Sequence, residues 1–271
     1  MAQIIISADD FGRSHERNLA IDEAFKSGLI KSAGLLVNAK YTTEAIAMAK
    51  EGGYINHLHC HFNIEGGDIC GFAQPLSEKM KRCLTFCQNG EFREHDNLKF
   101  VSYYNLLLTN IVYDELEKQY LLFKDLTGGQ GNEGHVDFHL WNNYRWPVSR
   151  ALHRLIKKYA IKSYRKDGLH YSGKGFKAKV LCGVSNMLCR NDNCTMDIPS
   201  CHINYYLNNK NNTRYINKPD WEAYVHPDYV EGILLDNTHP TFSKKRYPLV
   251  EHLEMLSSQY GKDFISWVDI K

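Results

Sequence analysis

The feature that most constrains this chain is the stretch Ile4 to Gly12, IIISADDFG, in which an apolar run ends in two adjacent carboxylates. Consecutive isoleucines are stiff at χ1 and suit a strand buried on both faces, so residues 3–8 are predicted to form an inner parallel strand. Asp9 and Asp10 then follow its carboxyl end, the edge where α/β proteins bind ligands. Neighbouring strand residues point to opposite faces, so the two carboxylates are expected to differ in role, one holding a metal and one handling a proton. The alternative is that either one only caps the next helix or makes a turn.

Segments with helical periodicity alternate with segments that suit strands. Helices are predicted over about 14–28, 43–51, 97–109, 113–127, 147–159 and 247–258, and strands over 31–38, 54–64, 134–141, 161–165, 221–226 and 264–269. This rhythm predicts an α/β fold with a parallel sheet and right-handed crossovers. At 271 residues the chain is normal for an α/β barrel of roughly 250 residues, so residues 1–271 are expected to form one domain.

Two stretches lack clear periodicity and are expected to be loop-rich insertions, at about 65–95 and 167–217. The first is rich in glycine and is expected to lie over the carboxyl edge of the sheet, where long loops often face a substrate. The second is rich in Gly, Asn, Lys and Cys and is expected to contain loops with short elements.

Composition argues against several classes of partner. The chain has 33 basic and 31 acidic residues, so neither nucleic acid nor a membrane surface is an expected partner. No apolar run approaches about 18 residues and the N-terminus begins directly in the first strand, so neither a membrane span nor a signal peptide is expected. A cytoplasmic location follows, and with it eight reduced cysteines. A zinc knuckle built from Cys189, Cys194 and Cys201 is the weaker alternative.

Histidines recur at every second position in two predicted strands. They are His57, His59 and His61 in the first, and His135 and His139, with Asp137 between them, in the second. Alternation places each set on one face of its strand, and a polar face on an inner strand needs a partner such as a metal ion.

A seventh polar candidate is His226, which ends a further predicted strand just before a proline. Any one of these histidines could be an ordinary satisfied or surface imidazole. Together with the Asp9–Asp10 pair, however, they supply two histidines and one carboxylate, a set that binds a divalent ion with positions left open for water and substrate.

The order of these motifs carries a family resemblance. ADDFG is followed by Asn18 and Gly28, then by HFNIEGG, HVDFH, VHP and a closing RYPLVEHLEML. This order and spacing resembles that of the YdjC-like carbohydrate deacetylases, which include chitooligosaccharide deacetylases. The resemblance spans essentially the whole chain and implies an irregular, TIM-barrel-like (β/α) barrel with its site at the carboxyl face of the strands.

The resemblance also implies roles for individual residues. Asp10, His61 and His139 match the ligands of one divalent metal ion, magnesium or zinc, while Asp9 matches the catalytic base and His226 the general acid. The implied reaction is hydrolysis of the N-acetyl group of an acetylated amino sugar or short chitooligosaccharide, with release of acetate. An N-acetylated sugar is therefore the expected partner, and whether the chain forms a homodimer is left open.

Three positions depart from the family pattern at the expected mouth of the site. Trp141 stands where the family often has a further histidine, Glu65 where it often has threonine, and residues 67–69 where it often has Gly-Lys-Pro. Trp141 could stack against a sugar ring. Arg165, at the end of a predicted strand, is a candidate to orient Asp9 or to bind substrate. Three more aromatic residues are candidates for sugar stacking or for the core: Phe62, Tyr144 and Trp146.

Two other functions remain open. A metal-dependent phosphoesterase or a different amidohydrolase would use His57 and His59 as ligands, with a second ion. A sugar-binding protein would keep the fold and lack turnover.

Overall fold

The computed structural model describes residues 3–98, 100–165, 176–189, 200–208, 220–237, 247–260 and 264–269. Strands and helices alternate along it. The strands are β1 (Gln3–Phe11), β2 (Ser32–Leu35), β3 (Leu58–Phe62), β4 (Cys87–Gln88), β5 (Glu91–Phe92), β6 (His135–Phe138), β7 (Ser163–Tyr164), β8 (Ser200–His202), β9 (Asp220–Val225), β10 (Pro227–Val230), β11 (Ile233–Asp236), β12 (Tyr247–Pro248) and β13 (Phe264–Ile265). The helices are α1 (His15–Lys26), α2 (Thr42–Glu51), α3 (Glu78–Lys81), α4 (Thr109–Leu126), α5 (Trp146–Tyr159), α6 (Phe176–Cys189), α7 (Ile203–Asn208) and α8 (Leu249–Tyr260).

Eight of these strands form the central sheet, in the order β7-β6-β3-β2-β1-β9-β8, with β13 also paired to β1. Every pairing in this sheet is parallel, as predicted. One edge of β1 holds β9, and its other edge holds β13 near Ile4 and β2 from Ser7 onward. Because the first strand lies inside the sheet, the motif that follows it is surrounded by neighbouring strand ends.

The two faces of the sheet differ sharply in chemistry. On β3 the residues Leu58, Cys60 and Phe62 belong to the hydrophobic core, whereas His59 and His61 alternate with them and contact polar groups on other strands. The same alternation holds in the other central strands: Ile4, Ile6 and Ala8 on β1, Val136 and Phe138 on β6, and Trp221, Ala223 and Val225 on β9 lie in the core. The helices therefore cover an apolar outer face, and the inner face carries buried polar side chains.

The sheet curves so strongly that its distant strands meet. Arg165 follows β7, yet its guanidinium contacts Asp9 on β1 and Glu222 on β9, strands that lie four and five places away in the sheet order. This curled parallel sheet with covering helices is a (β/α) barrel-like fold, which confirms the expected fold class.

The structure differs from the predicted elements in places where local patterns mislead. The strand predicted over 54–64 starts only at Leu58, because residues Ile55–His57 form a 3-10 turn. The helix predicted over 97–109 is replaced by 3-10 turns at Phe100–Tyr103 and Leu106–Leu108, and α4 begins at Thr109. The strand predicted over 134–141 ends at Phe138, so His139 opens a 3-10 turn.

Residues 65–95 contain only short elements, as expected. They include the 3-10 turn Asp68–Cys70, helix α3 and the β4–β5 hairpin. The stretch 167–217 is more regular than its composition suggests, because α6 spans 14 residues and β8 extends the central sheet. The rest of that stretch lies outside the described residues.

Within the described part of the chain, no helix is long and apolar enough to cross a membrane. Four of the eight cysteines, Cys60, Cys70, Cys83 and Cys87, are buried free thiols. Cys194, one member of the alternative zinc knuckle, lies outside the described residues.

Candidate functional site

The carboxyl end of β1 is irregular, and this irregularity brings both aspartates to one site. The β1–β2 register shifts between Ala8 and Phe11, and Asp10 has a positive φ of 71°. Such a backbone is rare for a residue other than glycine and is found mainly where surrounding structure enforces it, often at active sites. The expectation that the aspartates point to opposite faces therefore fails, because the bulge turns Asp10 toward the same interior that Asp9 occupies.

Asp10, His61 and His139 form a compact buried cluster at the ends of β1, β3 and β6. Each offers one ligand atom, and the three atoms lie within 4.8 Å of one another. Oδ1 of Asp10 is 2.6 Å from Nδ1 of His139 and 3.3 Å from Nε2 of His61. The side chains are at most 6% exposed. Three sequence motifs thus converge on one point, as expected from the order of their strands.

The hydrogen bonds of the two histidines fit a metal site. Nδ1 of His61 donates to Asp137 at 2.6 Å, and Nδ1 of His139 donates to Asp10. Nε2 of each ring is buried; that of His139 makes no hydrogen bond, and that of His61 faces Oδ1 of Asp10 at 3.3 Å. A carboxylate that holds the far nitrogen of an imidazole, as Asp137 holds His61, commonly supports a metal-bound histidine. Asp10 and His139 are both candidate ligands, and their contact brings the two together.

Gly34 of β2 makes room for the His61 ring. A Cβ atom at this position would lie 3.0 Å from both Cβ and Nδ1 of His61, closer than ordinary contact. A glycine within a strand often marks such a close approach. Gly12 of the ADDFG motif has a similar role with a positive φ of 99°, and its Cβ would meet the carbonyl oxygen of Leu36 at 3.0 Å.

The electrostatics of the cluster also favour a cation. Burial would raise the pKa of Asp10, but His139 and His61 outweigh it and hold this pKa well below its usual value, so the carboxylate is ionised. Burial disfavours a charged imidazole, yet Asp137 and Asp10 raise the pKa of His61 to about 10. This raised pKa of His61 reflects an excess of negative charge around its imidazole ring. Two imidazoles and a carboxylate in this field suit a divalent ion, and these residues would hold it.

Asp9 is clamped by Arg165, the first of the two roles considered for that arginine. Nη1 of Arg165 is 2.6 Å from Oδ2 of Asp9, and Nη2 is 2.9 Å from Oδ1. The same guanidinium binds both oxygens of Glu222 and lies 2.8 Å from Asp137. Burial raises the pKa of Asp9, although Arg165 acts against this shift. Asp9 is therefore a fixed carboxylate with an increased affinity for a proton.

His226 follows β9 and faces Asp9, with 4.0 Å between its Nε2 and Oδ2 of the carboxylate. Its backbone N–H donates to Asp236 at 2.9 Å, which ties it to the end of β11. Burial, with His202 and Arg17, lowers the pKa of His226 well below its usual value. The resting side chain is thus a neutral imidazole at neutral pH.

His57 and His59 do not form a ligand set with each other, although ligand atoms of His59, His135 and Asp137 lie within 4.8 Å of one another. His57 lies in the 3-10 turn before β3 and its Nδ1 contacts Ser266, so the expectation that it shares the strand face is wrong. His59 contacts Oδ2 of Asp137 at 3.0 Å, but the guanidinium of Arg165 is already 2.8 Å from that same oxygen. A cation therefore occupies the side of Asp137 on which a second ion would bind.

The expected substrate contacts are only partly described. The backbone of Trp141 lies in the turn after β6, while its side chain lies outside the described part. Phe62 and Phe138 pack together in the core, with ring centroids 5.1 Å apart. Glu65 is fully buried, 3.0 Å from Nη2 of Arg145 and 2.8 Å from His95. Its carboxylate is thus committed to an ion-pair network at the place where the family often has threonine.

Several residues around the site are not evident from spacing alone. Asp137 is visible as part of a polar strand face, but its role as the partner of His61 depends on the pairing of β3 with β6. Glu222 could have been noticed as a lone carboxylate within the apolar strand WEAYV. Asp236 ends the run ILLD. It is an acidic residue at the end of an apolar strand, as are the aspartates of the first motif.

Comparisons with known proteins identify the family of the chain. The sequence profile of the YdjC-like protein family matches residues 3–266. A carbohydrate deacetylase of Clostridium beijerinckii is 24% identical over 269 residues, covering 99% of this chain and 97% of that protein. A carbohydrate deacetylase of Danio rerio is 28% identical over 152 residues, which is 55% of this chain and 46% of that protein.

A solved structure extends the likeness to the fold. The crystal structure of a candidate cellobiose-phosphate cleavage protein from Enterococcus faecalis V583 superposes with a TM-score of 0.67 at 17% identity, over 99% of this chain and 98% of that one. At this identity the match supports the fold alone. With the profile matched along nearly its whole length and the family's motifs converging in space, the chain belongs to the YdjC-like protein family.

Proposed function

We propose that this protein is a metal-dependent carbohydrate deacetylase that hydrolyses the N-acetyl group of an acetylated amino sugar or short chitooligosaccharide. The observation that carries the proposal is the side-by-side arrangement of two units. One is the Asp10–His61–His139 cluster, whose ligand atoms lie within 4.8 Å of one another, and the other is the pair Asp9 and His226, 4.0 Å apart. The names of the curated relatives support the choice of a sugar acetamide as substrate.

Asp10, His61 and His139 would hold one divalent ion, magnesium or zinc. Such an ion supplies Lewis-acid activation of the amide carbonyl and of a water molecule. The choice between the metals is open, because a set of two imidazoles and one carboxylate binds several divalent ions.

Asp9 is proposed to act as the base. Its ionised carboxylate removes a proton from the attacking water, and the two hydrogen bonds from Arg165 fix the direction of that carboxylate. The raised pKa of Asp9 favours proton uptake, and burial is its largest cause.

His226 is proposed to act as the acid. Because it rests as a neutral imidazole, it has no acidic proton of its own to give and must first receive the one that Asp9 takes from water. The 4.0 Å between the two groups makes such a transfer short. His226 then protonates the departing amine nitrogen, so that one proton leaves the water and one reaches the free amino sugar, and acetate is the second product.

The test is a screen for acetate release from N-acetylated mono-, di- and oligosaccharides. Metal-free protein would be supplied in turn with magnesium, zinc, manganese or cobalt. Acetate release that depends on an added ion and on a sugar acetamide would support the proposal. Binding of these sugars without acetate release under any metal would instead favour a non-catalytic sugar-binding protein, and cleavage of phosphate esters alone would favour a phosphoesterase.

A further inference from the structure

A second cluster of two imidazoles and one carboxylate lies beside the metal centre. It consists of His202 at the end of β8, His226 after β9, and Asp236 at the end of β11. Each residue offers one ligand atom, and these atoms lie within 4.8 Å of one another. The donor set is the same as that of the first cluster, although none of the three belongs to it.

The side chains of this second cluster already lie close to one another. Nε2 of His202 lies 3.4 Å from Oδ1 of Asp236. The rings of His202 and His226 stack with centroids 5.4 Å apart and planes within 21°. The backbone N–H of Asn204 donates to Nδ1 of His202 at 3.2 Å, so Nδ1 carries no proton and Nε2 is the atom directed at Asp236. An ion that bound there would replace a proton on Nε2.

The partners of the cluster hold its ligands in place. Oδ1 of the buried Asp236 accepts a hydrogen bond from the backbone of His226, and Oδ2 lies 3.0 Å from Nδ1 of the fully buried His252. Supporting contacts of this kind usually surround a carboxylate that binds a metal. Nδ1 of His226 is buried and makes no hydrogen bond, so this nitrogen is available to coordinate an ion. The nearby cation Arg17 is paired with Asp228 at 3.1 Å.

We propose that His202, His226 and Asp236 bind a zinc ion as a second, inhibitory site. Zinc is the ion proposed here because imidazole ligands favour it over magnesium, which prefers oxygen ligands, a preference that the first cluster shares. The binding claim stands on the geometry of these three residues, and the inhibition claim rests on the proposed role of His226 as acid. An imidazole must carry protons on both nitrogens to act as an imidazolium acid, and zinc on either nitrogen prevents this.

The binding claim is tested by counting zinc on metal-free protein over a range of buffered free zinc concentrations. Wild-type protein should bind two ions per chain. His202→Gln should bind the ion of the first cluster with little change in affinity. Its affinity for the ion of the second cluster should fall more than about a hundredfold, which exceeds the typical loss when a residue that only supports a ligand is removed. His139→Gln should lose the first ion and keep the second. The control His57→Gln changes a histidine outside both clusters and should keep two.

Thermal unfolding of each metal-free variant checks that it folds. Should His202→Gln be unfolded, His226→Gln serves in its place, because this side chain is partly exposed and lies in no strand. One ion on wild-type protein, or two on both the His202 and His226 variants, would overturn the site.

The inhibition claim is tested by measuring acetate release at increasing zinc concentrations. The rate of each protein is compared with the rate of the same protein at one equivalent of metal. Wild-type turnover should fall as the second ion binds, at the concentration given by the binding curve. His202→Gln should keep its own rate through that range. Equal inhibition of both proteins, or activation of wild-type protein by the second ion, would refute an inhibitory role. The zinc count needs no substrate, so it tests the second site even if the protein has no deacetylase activity. A failure of the proposed function is thus distinguished from a failure of the proposed zinc site.

Discussion

Arg165 holds both carboxylate oxygens of Asp9, with Nη1 2.6 Å from Oδ2 and Nη2 2.9 Å from Oδ1. The two residues are 156 positions apart in the chain. A planar guanidinium is the side chain best suited to this two-point contact with a carboxylate. Since Arg165 also binds Glu222 on β9 and approaches Asp137 on β6, it fixes the orientation of Asp9 relative to those two strands.

Arg165→Lys should fold and bind its metal but lose about a hundredfold in kcat, the cost of misplacing a catalytic group by about 1 Å. Lysine keeps the charge and cannot make the fork of two hydrogen bonds. Arg165→Gln should also lose about 3–5 kcal/mol of unfolding free energy, because buried carboxylates are left without a cation. Steady-state kinetics and urea unfolding check both, with the exposed Arg154→Lys as control. An unchanged kcat in Arg165→Lys would contradict the orienting role.

Asp9 and Asp10 should separate in their effects. Asp9→Asn should keep the metal and lose about a hundredfold to ten-thousandfold in rate, as expected for removal of a base. Asp10→Asn should weaken metal binding and lose activity with it, while the backbone survives because asparagine tolerates positive φ. The check is metal content and turnover at one equivalent of metal. Metal loss from Asp9→Asn with retention by Asp10→Asn would reverse the two roles.

His226→Ala should keep the ion of the first cluster, since it supplies no ligand there. Its turnover should fall least on acetamides whose leaving amine has a low pKa, because such an amine needs less help from an acid. Rates on a sugar acetamide and on an activated acetamide, at one equivalent of metal, measure this difference. A variant as active as wild type on both substrates would mean that another group protonates the amine.

Asp137→Asn should lower the affinity of the first site about tenfold to a hundredfold, because His61 loses the carboxylate that orients its ring. Gly34→Ala should act on the same ring from the other side, since the new methyl group would stand 3.0 Å from Nδ1. Metal titrations of both variants check this, with the exposed Asp125→Asn as control. Wild-type metal affinity in both variants would show that neither Asp137 nor Gly34 is needed to position the His61 ring.

The pH dependence of stability should carry a signature of His95. Its hydrogen bond to Glu65 raises its pKa above the usual 6.5 in the folded protein. The contact therefore stabilises the fold fully below pH 6.5 and is lost as the pH rises through the raised value. The stability difference between wild type and His95→Gln should shrink from pH 6 to pH 9, roughly across that window. Urea midpoints at several pH values measure it, and a stability difference that stays constant from pH 6 to pH 9 would contradict this role of His95.

Local pattern was enough to predict the fold class and the first cluster's ingredients. An apolar run before Asp9 and alternating histidines around His61 and Asp137 are features of a few neighbouring residues, and strand periodicity is itself local. The family resemblance added the barrel-like architecture and the assignment of Asp10, His61 and His139 as ligands. Where periodicity weakened, as in 167–217, α6 and β8 went unpredicted, since packing against the sheet and not local pattern decides such elements.

What the sequence by itself determined is therefore which chemistry stands at each strand end. Only the tertiary structure decided which ends meet. The bulge after Ala8 turns Asp10 toward Asp9, and the curvature of the sheet carries Arg165 across to Asp9 and Glu222. The pairing of β8 with β9 sets His202 beside His226. Contacts between residues far apart in the chain depend on the summed twist and packing of all the strands between them, which no short stretch of sequence encodes.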